Sequence, residues 1–194
     1  MSYLKLFRMP NAVKIMGRSS SITNSFVNGI IPVIHPSESQ VRQALEILGM
    51  DRASFRCSYC GDAASEWDHL RPLVKDQKPT GYISEIQNLV PACGKCNQSK
   101  GNKDWRRWIM SDAPKSPKAR GIRQFDRYIE KLDQYSQWMT PTKVDFEQLV
   151  GEEMWAQHWA LWKETLDAMR RADAHARGIR EKVAASLPVD PSQA

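Results

Sequence analysis

All four cysteines of the chain fall into two C-x-x-C pairs, Cys57/Cys60 and Cys93/Cys96, with 32 residues between the pairs. Each C-x-x-C turn offers two sulfurs to one ion, so two pairs can surround a zinc ion tetrahedrally. A disulfide framework is disfavoured in a chain expected in the cytoplasm, and a thioredoxin-like motif needs only one pair, in a βαβ context. The spacing therefore predicts a structural zinc site. Four protein ligands close its coordination sphere, so any chemistry must lie elsewhere.

Polar residues of other types stand between and just after the cysteine pairs. Asp68 and His69 are adjacent, and a turn-rich segment, VKDQKPTGY, separates them from Asn88. The apolar approach to Asp68 and the ISEIQNLV segment predict the two strands of a short hairpin, and a helix is expected to start near Cys93. Asn97 would lie on that helix and face the hairpin. Taken singly, each of these residues is also typical of a turn, a helix cap or a partly buried side chain.

Taken together, these elements resemble the zinc-stabilised branch of the HNH nucleases, also called ββα-metal or His-Me finger nucleases. The resemblance covers about residues 55–104, and Asn97 makes the chain an HNN-type variant because many relatives have histidine there. The matching elements are Cys57-x-x-Cys60, Asp68-His69-Leu-Arg-Pro72, Asn88-Leu-Val-Pro and Cys93-Gly-Lys-Cys96-Asn97-x-x-Lys100-Gly101.

The resemblance implies a role for each polar residue. His69 corresponds to the general base that takes a proton from the attacking water, a task that suits an imidazole with a pKa of about 6.5. Asp68 and Asn97 correspond to ligands of one catalytic divalent ion, and their hard oxygens favour Mg²⁺ or Mn²⁺. Asn88 corresponds to the middle residue, whose amide braces the loop that carries His69. The implied reaction is phosphodiester hydrolysis in DNA, which we expect to be double-stranded.

Other functions remain open at this point. A zinc-ribbon-like module that binds DNA without cutting it is the main alternative, although pure binding needs none of Asp68, His69 and Asn97. A redox or zinc-storage protein is a third possibility. Neither of these functions requires the basic stretch that follows the second cysteine pair.

Basic residues are concentrated after the second cysteine pair. Residues 100–131 hold ten lysines and arginines against four acids, which accounts for the whole net charge of +6. An electropositive surface there suits the phosphates of a nucleic acid, although a solvated helix face is an equal alternative. The expected nucleic-acid contacts are Lys100, Lys103, Arg106, Arg107, Arg123 and Arg127.

Hydrophobic periodicity predicts helices on both sides of the motif. Residues 26–34 are expected to form an irregular segment or short strand. Ser37 with Gln40 forms a capping box for a helix that stops at Gly49. One further helix is predicted to contain Trp105, Trp108 and Ile109. A second is predicted to start at Ser116-Pro117, with the apolar residues Ile122, Phe125, Ile129 and Leu132 on one face. A further start is predicted at Asp145, for a helix that ends near Ser186 and carries a stripe of Trp155, Trp159, Trp162, Leu166 and Met169.

The predicted fold is α+β and mostly helical, with a small ββα-metal module and its four-cysteine zinc site embedded in helical flanks. The expected divisions are residues 1–54, the nuclease module at 55–110 and a C-terminal helical region at 111–194. The stripe on the last helix is typical of a core, and a homodimer seam or partner surface is the alternative. No apolar run is long enough to span a bilayer and no secretory signal is recognisable, so we expect a cytoplasmic protein, with a role in restriction or phage defence.

Overall fold

The computed structural model describes residues 9–123 and 125–187. The chain divides into two compact units, a terminal unit of Met1–Phe26 with Gly151–Ala194, and a central unit of Val27–Val150. The elements in chain order are α1 (Ser19–Asn28), α2 (Glu38–Ile47), β1 (Glu66–His69), β2 (Val74–Lys75), β3 (Lys78–Pro79), β4 (Leu89–Ala92), α3 (Gly94–Lys100), α4 (Trp105–Ile109), α5 (Phe125–Trp138), α6 (Phe146–Val150) and α7 (Glu152–Ser186). The fold is α+β and mostly helical, as predicted.

The predicted hairpin is present in the central unit. Strand β1 pairs antiparallel with β4, and the register places Asp68 opposite Val90 and His69 opposite Leu89. The second strand is shorter than the ISEIQNLV segment, because Ile86–Asn88 form a 3-10 turn before β4 begins. Helix α3 follows directly, with Cys93 as its N-cap residue. The strands and α3 therefore form the ββα arrangement that the sequence predicts.

Two predicted helices of the central unit are present, and the first has the expected start. The second is separate from α3 and does not continue it. Ser37 caps α2, and its capping box with Gln40 is complete in both directions. Asp104 caps α4 by accepting a hydrogen bond from the Arg107 amide. Both helices contribute to the core, which contains Ala44, Leu48, Tyr59, Leu70, Val90, Trp108, Ile109, Leu132 and Tyr135 among its buried residues.

The helix predicted to start at Ser116-Pro117 begins later, at Phe125. Residues 116–121 form turns instead, in which the Ser116 hydroxyl accepts a hydrogen bond from the Ala119 amide at 3.2 Å. Gly121 then adopts a positive φ of 64°, a conformation that ends a helical turn. The predicted start was wrong because the Ser-Pro signal opens a single turn there and not a full helix.

The terminal unit is built on α7. Gly151 has a positive φ of 85° and separates α7 from α6, so the predicted start at Asp145 gives only the short helix α6. The aromatic stripe of α7 contacts α1: the Trp162 indole donates to the Thr23 hydroxyl at 3.0 Å, and the rings of His158 and Phe26 lie 5.4 Å apart. Residues 26–28 thus belong to α1, whereas residues 29–34 are irregular, as predicted. No helix of the described residues has the length and hydropathy that crossing a membrane requires.

Candidate active site

The four cysteines lie at one place in the central unit. Their Sγ atoms are all within 4.8 Å of one another, and all four side chains are buried thiols without a disulfide. The distance between the Sγ atoms of Cys60 and Cys93 is 3.7 Å. Zinc–sulfur bonds of about 2.3 Å in a tetrahedron give sulfur–sulfur distances of about 3.8 Å. The cluster therefore fits a metal ion such as zinc, and no cysteine is left over for a separate redox pair.

The chemical environment of the cysteines favours a bound cation. The hydrogen bond with Cys60, together with burial, raises the pKa of Cys57 to about 12. Hydrogen bonds with Cys57 and Cys96 lower the pKa of Cys60. Four sulfurs this close cannot all be thiolates unless a cation offsets their charge. One guanidinium is close: Arg120 donates from Nη1 to Cys96 Sγ at 3.6 Å and from Nη2 to Asp62 at 2.6 Å. A single arginine cannot neutralise four thiolates, so a divalent ion is the matching partner.

Strand β1 and helix α3 face each other through two pairs of side chains. Glu66 accepts a hydrogen bond from the Asn97 amide nitrogen at 2.6 Å, and Asp68 forms an ion pair with Lys100 at 3.0 Å. Residues two apart on a strand project to the same side, as residues three apart do on a helix. Because Glu66 has only acceptor atoms, it holds the nitrogen of the Asn97 amide and turns the amide oxygen away from itself, where a metal ion can bind it.

The Asp68–Lys100 pair is buried. Asp68 is 5% exposed and Lys100 is fully buried, and the Tyr59 hydroxyl also donates to the Asp68 carboxylate. Burial raises the pKa of Asp68 even though Lys100 and Tyr59 act in the opposite direction. The Lys100 ammonium also donates to the His69 carbonyl at 2.7 Å, which ties α3 to the end of β1. Lys100 was predicted to contact nucleic acid from the surface. In the structure its side chain is instead buried and paired with Asp68.

His69 has a partner that sequence reasoning missed. Its Nε2 atom lies 2.9 Å from the Ser84 hydroxyl. The backbone of Ser84 is in turn held on both sides, since its amide donates to Pro32 and its carbonyl accepts from Ile34 at 2.8 Å. Burial, followed by the charge of Lys100, lowers the pKa of His69 to about 4. The imidazole is therefore neutral at neutral pH, which is the form that can accept a proton.

Asn88 braces the loop that follows His69. Its side-chain oxygen accepts a hydrogen bond from the Arg71 amide at 2.8 Å, and its side-chain nitrogen donates to the Arg71 carbonyl at 3.0 Å. The backbone carbonyl of Asn88 also accepts from the Leu70 amide at 2.8 Å. A buried asparagine thus pairs with both backbone groups of Arg71, two residues after the histidine.

This bracing predicts a measurable cost of removal. Asn88→Ala should lower the free energy of unfolding by about 2–3 kcal/mol, because the Arg71 amide and carbonyl lose their partners inside the protein. Urea unfolding of the zinc-loaded protein measures the change. The exposed Asn102 offers a matched control, for which Asn102→Ala should stay within about 0.5 kcal/mol. Equal effects of the two substitutions would contradict the bracing role.

The site residues keep separate partners in the described part of the chain. Asp68 pairs with Lys100, Asn97 with Glu66, and His69 with Ser84, all within the ββα arrangement. The remaining predicted nucleic-acid contacts, Lys103, Arg106, Arg107, Arg123 and Arg127, are exposed. Arg106 forms an ion pair with Asp133, and Lys103 donates to the Ser99 carbonyl at 2.7 Å.

Comparison with known proteins agrees with this geometry. Residues 57–103 match the family model described as HNH endonuclease, which confirms the predicted resemblance for that segment. The CRISPR-associated endonuclease Cas9 of Corynebacterium diphtheriae is 26% identical over 144 residues, which cover 70% of this chain. The matched part amounts to 12% of that Cas9. No solved structure matches the chain.

Proposed function

We propose that this protein is a metal-dependent endonuclease that hydrolyses phosphodiester bonds in double-stranded DNA. The observation that carries the proposal is the ββα arrangement, in which a neutral His69 ends β1 beside Asp68 while Asn97 faces β1 from α3. The match of residues 57–103 to the HNH endonuclease family supports the same chemistry. Restriction or phage defence in the cytoplasm is the biological setting that we propose.

In this proposal each side chain of the site has one task. His69 takes the proton of the attacking water, and Ser84 and Asn88 hold the imidazole and its loop in place. Asp68 and the amide oxygen of Asn97 would hold Mg²⁺ or Mn²⁺, an ion that stabilises the charge on the phosphate and on the leaving oxygen. Lys100 balances the buried charge of Asp68. The cysteines would bind zinc, which fixes β4 and α3 relative to the first C-x-x-C turn.

The buried ion pair favours a second candidate, a zinc-ribbon-like module that binds DNA without cutting it. Asp68 already interacts with Lys100 and Tyr59, so a metal ion would have to share the carboxylate with both. The amide oxygen of Asn97, which accepts no hydrogen bond from a described residue, weighs against this candidate, because binding alone does not require a vacant oxygen there.

Nicking of supercoiled plasmid distinguishes the two candidates. Zinc-loaded, desalted protein should nick after addition of Mg²⁺ or Mn²⁺ and should not nick without added metal. Asn97→Ala should slow nicking by about 10-fold to 100-fold, because it removes a ligand of the proposed ion. Gln98→Ala, an exposed neighbour on α3, is the matched control and should keep the wild-type rate. DNA binding without nicking at any metal concentration would favour the second candidate.

A further inference from the structure

A cavity of about 280 Å³ lies in the central unit, away from the β1–α3 face that carries Asp68 and Asn97. It is enclosed by the end of α2, by the first C-x-x-C turn and by the first half of α5. Cys57 and Ser58 form part of its wall. The proposed chemistry uses none of the side chains that line this cavity, apart from the zinc ligand Cys57.

All the charged residues that line the cavity are basic. Arg56, Arg127 and Lys131 line it, and no acidic residue does. None of the three forms an ion pair with a described residue, in contrast to Arg106 and Arg120, which both pair with aspartates. Arg127 and Lys131 are four residues apart on α5, where like charges repel. Three unpaired cations around one cavity are stabilised when an anion lies between them.

Ser58, one of the residues that line the cavity, has a buried hydroxyl. The residue is 2% exposed, and the hydroxyl has no hydrogen-bond partner among the described residues. Because this oxygen has almost no accessible surface, the three cations provide the contacts to a ligand. The Ser58 amide is already used, since it donates to the Pro91 carbonyl at 2.8 Å.

We propose that this cavity, which we call the basic pocket, binds a phosphate group. Two guanidinium groups and one ammonium match the several acceptor oxygens of a phosphate, and arginine can bind such a group through two parallel hydrogen bonds. The phosphate belongs either to the DNA backbone or to a free phosphate compound. The DNA source rests on the proposed function, whereas binding of a free phosphate does not.

The basic pocket is connected through backbone hydrogen bonds to the strands that carry the proposed nuclease site. The bond from Ser58 to Pro91 joins the wall of the pocket to β4, and β4 pairs with β1, which carries Asp68 and His69. A backbone phosphate held in the pocket would therefore set the register of the strand over the site. This contact is additional to the exposed basic residues predicted from sequence, of which Arg127 alone lines the pocket.

Binding measurements on the full chain without added catalytic metal test the proposal. The double variant Arg127→Gln/Lys131→Gln should weaken binding of a duplex DNA by about 3- to 10-fold and should reduce the slope of log affinity against log salt by about 1. Arg42→Gln/Lys75→Gln removes the same charge from exposed residues outside the basic stretch 100–131 and should leave the slope unchanged. Fluorescence anisotropy across a salt series measures both quantities.

A second arm titrates inorganic phosphate by calorimetry at constant ionic strength, using the wild type and the Arg127→Gln/Lys131→Gln variant. Loss of DNA affinity confined to that variant supports a backbone phosphate as the ligand. Phosphate binding that the variant loses, with DNA binding unchanged, supports a free phosphate compound. No difference between the pocket and control variants in either arm overturns the proposal. Because no cleavage is measured, failure of the nuclease proposal would appear separately, as binding without nicking.

Discussion

His69→Ala should lower the single-turnover rate of DNA nicking by about 10²- to 10⁴-fold, the usual contribution of a general base. The physical reason is position: His69 ends β1 beside Asp68, and the Ser84 hydroxyl lies 2.9 Å from its Nε2 atom and orients the ring. Its pKa of about 4 leaves the ring neutral at neutral pH. The substitution leaves the cysteine cluster and the Asp68–Lys100 pair in place. Zinc content and the unfolding transition should therefore remain close to those of the wild type.

Two further variants locate the cause of that loss. His175→Ala changes an exposed histidine of α7 and should not alter nicking. Ser84→Ala removes the partner of Nε2 and should slow nicking less than His69→Ala does, because the base is then present but poorly oriented. Nicking that survives in a zinc-loaded His69→Ala protein would mean that another group activates the water.

The second large effect concerns the metal in the cysteine cluster. Cys96→Ser, or removal of zinc from the wild type, should lower the free energy of unfolding by about 5 kcal/mol or more, since metal affinity in such sites is folding energy. Cys96 is fully buried and belongs to both the cluster and the core. Urea unfolding with and without zinc, together with metal content, measures the effect.

The wild type without zinc provides the control for this substitution. It should unfold at the same urea concentration as Cys96→Ser, and added zinc should restore the wild type but not the variant. One zinc per chain is the expected stoichiometry, because the four cysteines form a single cluster. A wild type whose stability does not respond to zinc would contradict a structural metal at this position.

Local sequence signals predicted the parts of the fold that depend on neighbours along the chain. The Ser37 capping box, the β1–β4 hairpin and the start of α3 after Cys93 are all present. The α5 start was wrong because Gly121 ends a turn that the Ser-Pro pair opens. Helix α1 was not foreseen, since SSSITNSFVN has poor helix propensity and is stabilised by contacts such as that between Thr23 and Trp162.

In the candidate site, too, the motif residues could be predicted from sequence, whereas contacts that depend on the tertiary fold could not. The motif located Asp68, His69, Asn88 and Asn97. The structure places Asp68 and His69 on β1 and Asn97 on α3, whereas Asn88 lies in the 3-10 turn before β4. The burial of Lys100 could not be read from the motif, because a lysine beside other basic residues is typical of a surface. Ser84 carries no local signal, since its contact with His69 depends on how Pro32 and Ile34 hold its backbone.

The backbone bonds around Ser84 limit how short a transferable fragment that contains the candidate site can be. A fragment of residues 55–110 contains every motif residue but lacks Pro32 and Ile34, which hold the partner of the histidine. It also lacks Tyr135, whose hydroxyl donates to the Leu89 carbonyl at 2.8 Å at the start of β4. Any fragment fused to a targeting domain must therefore include at least residues 32–135.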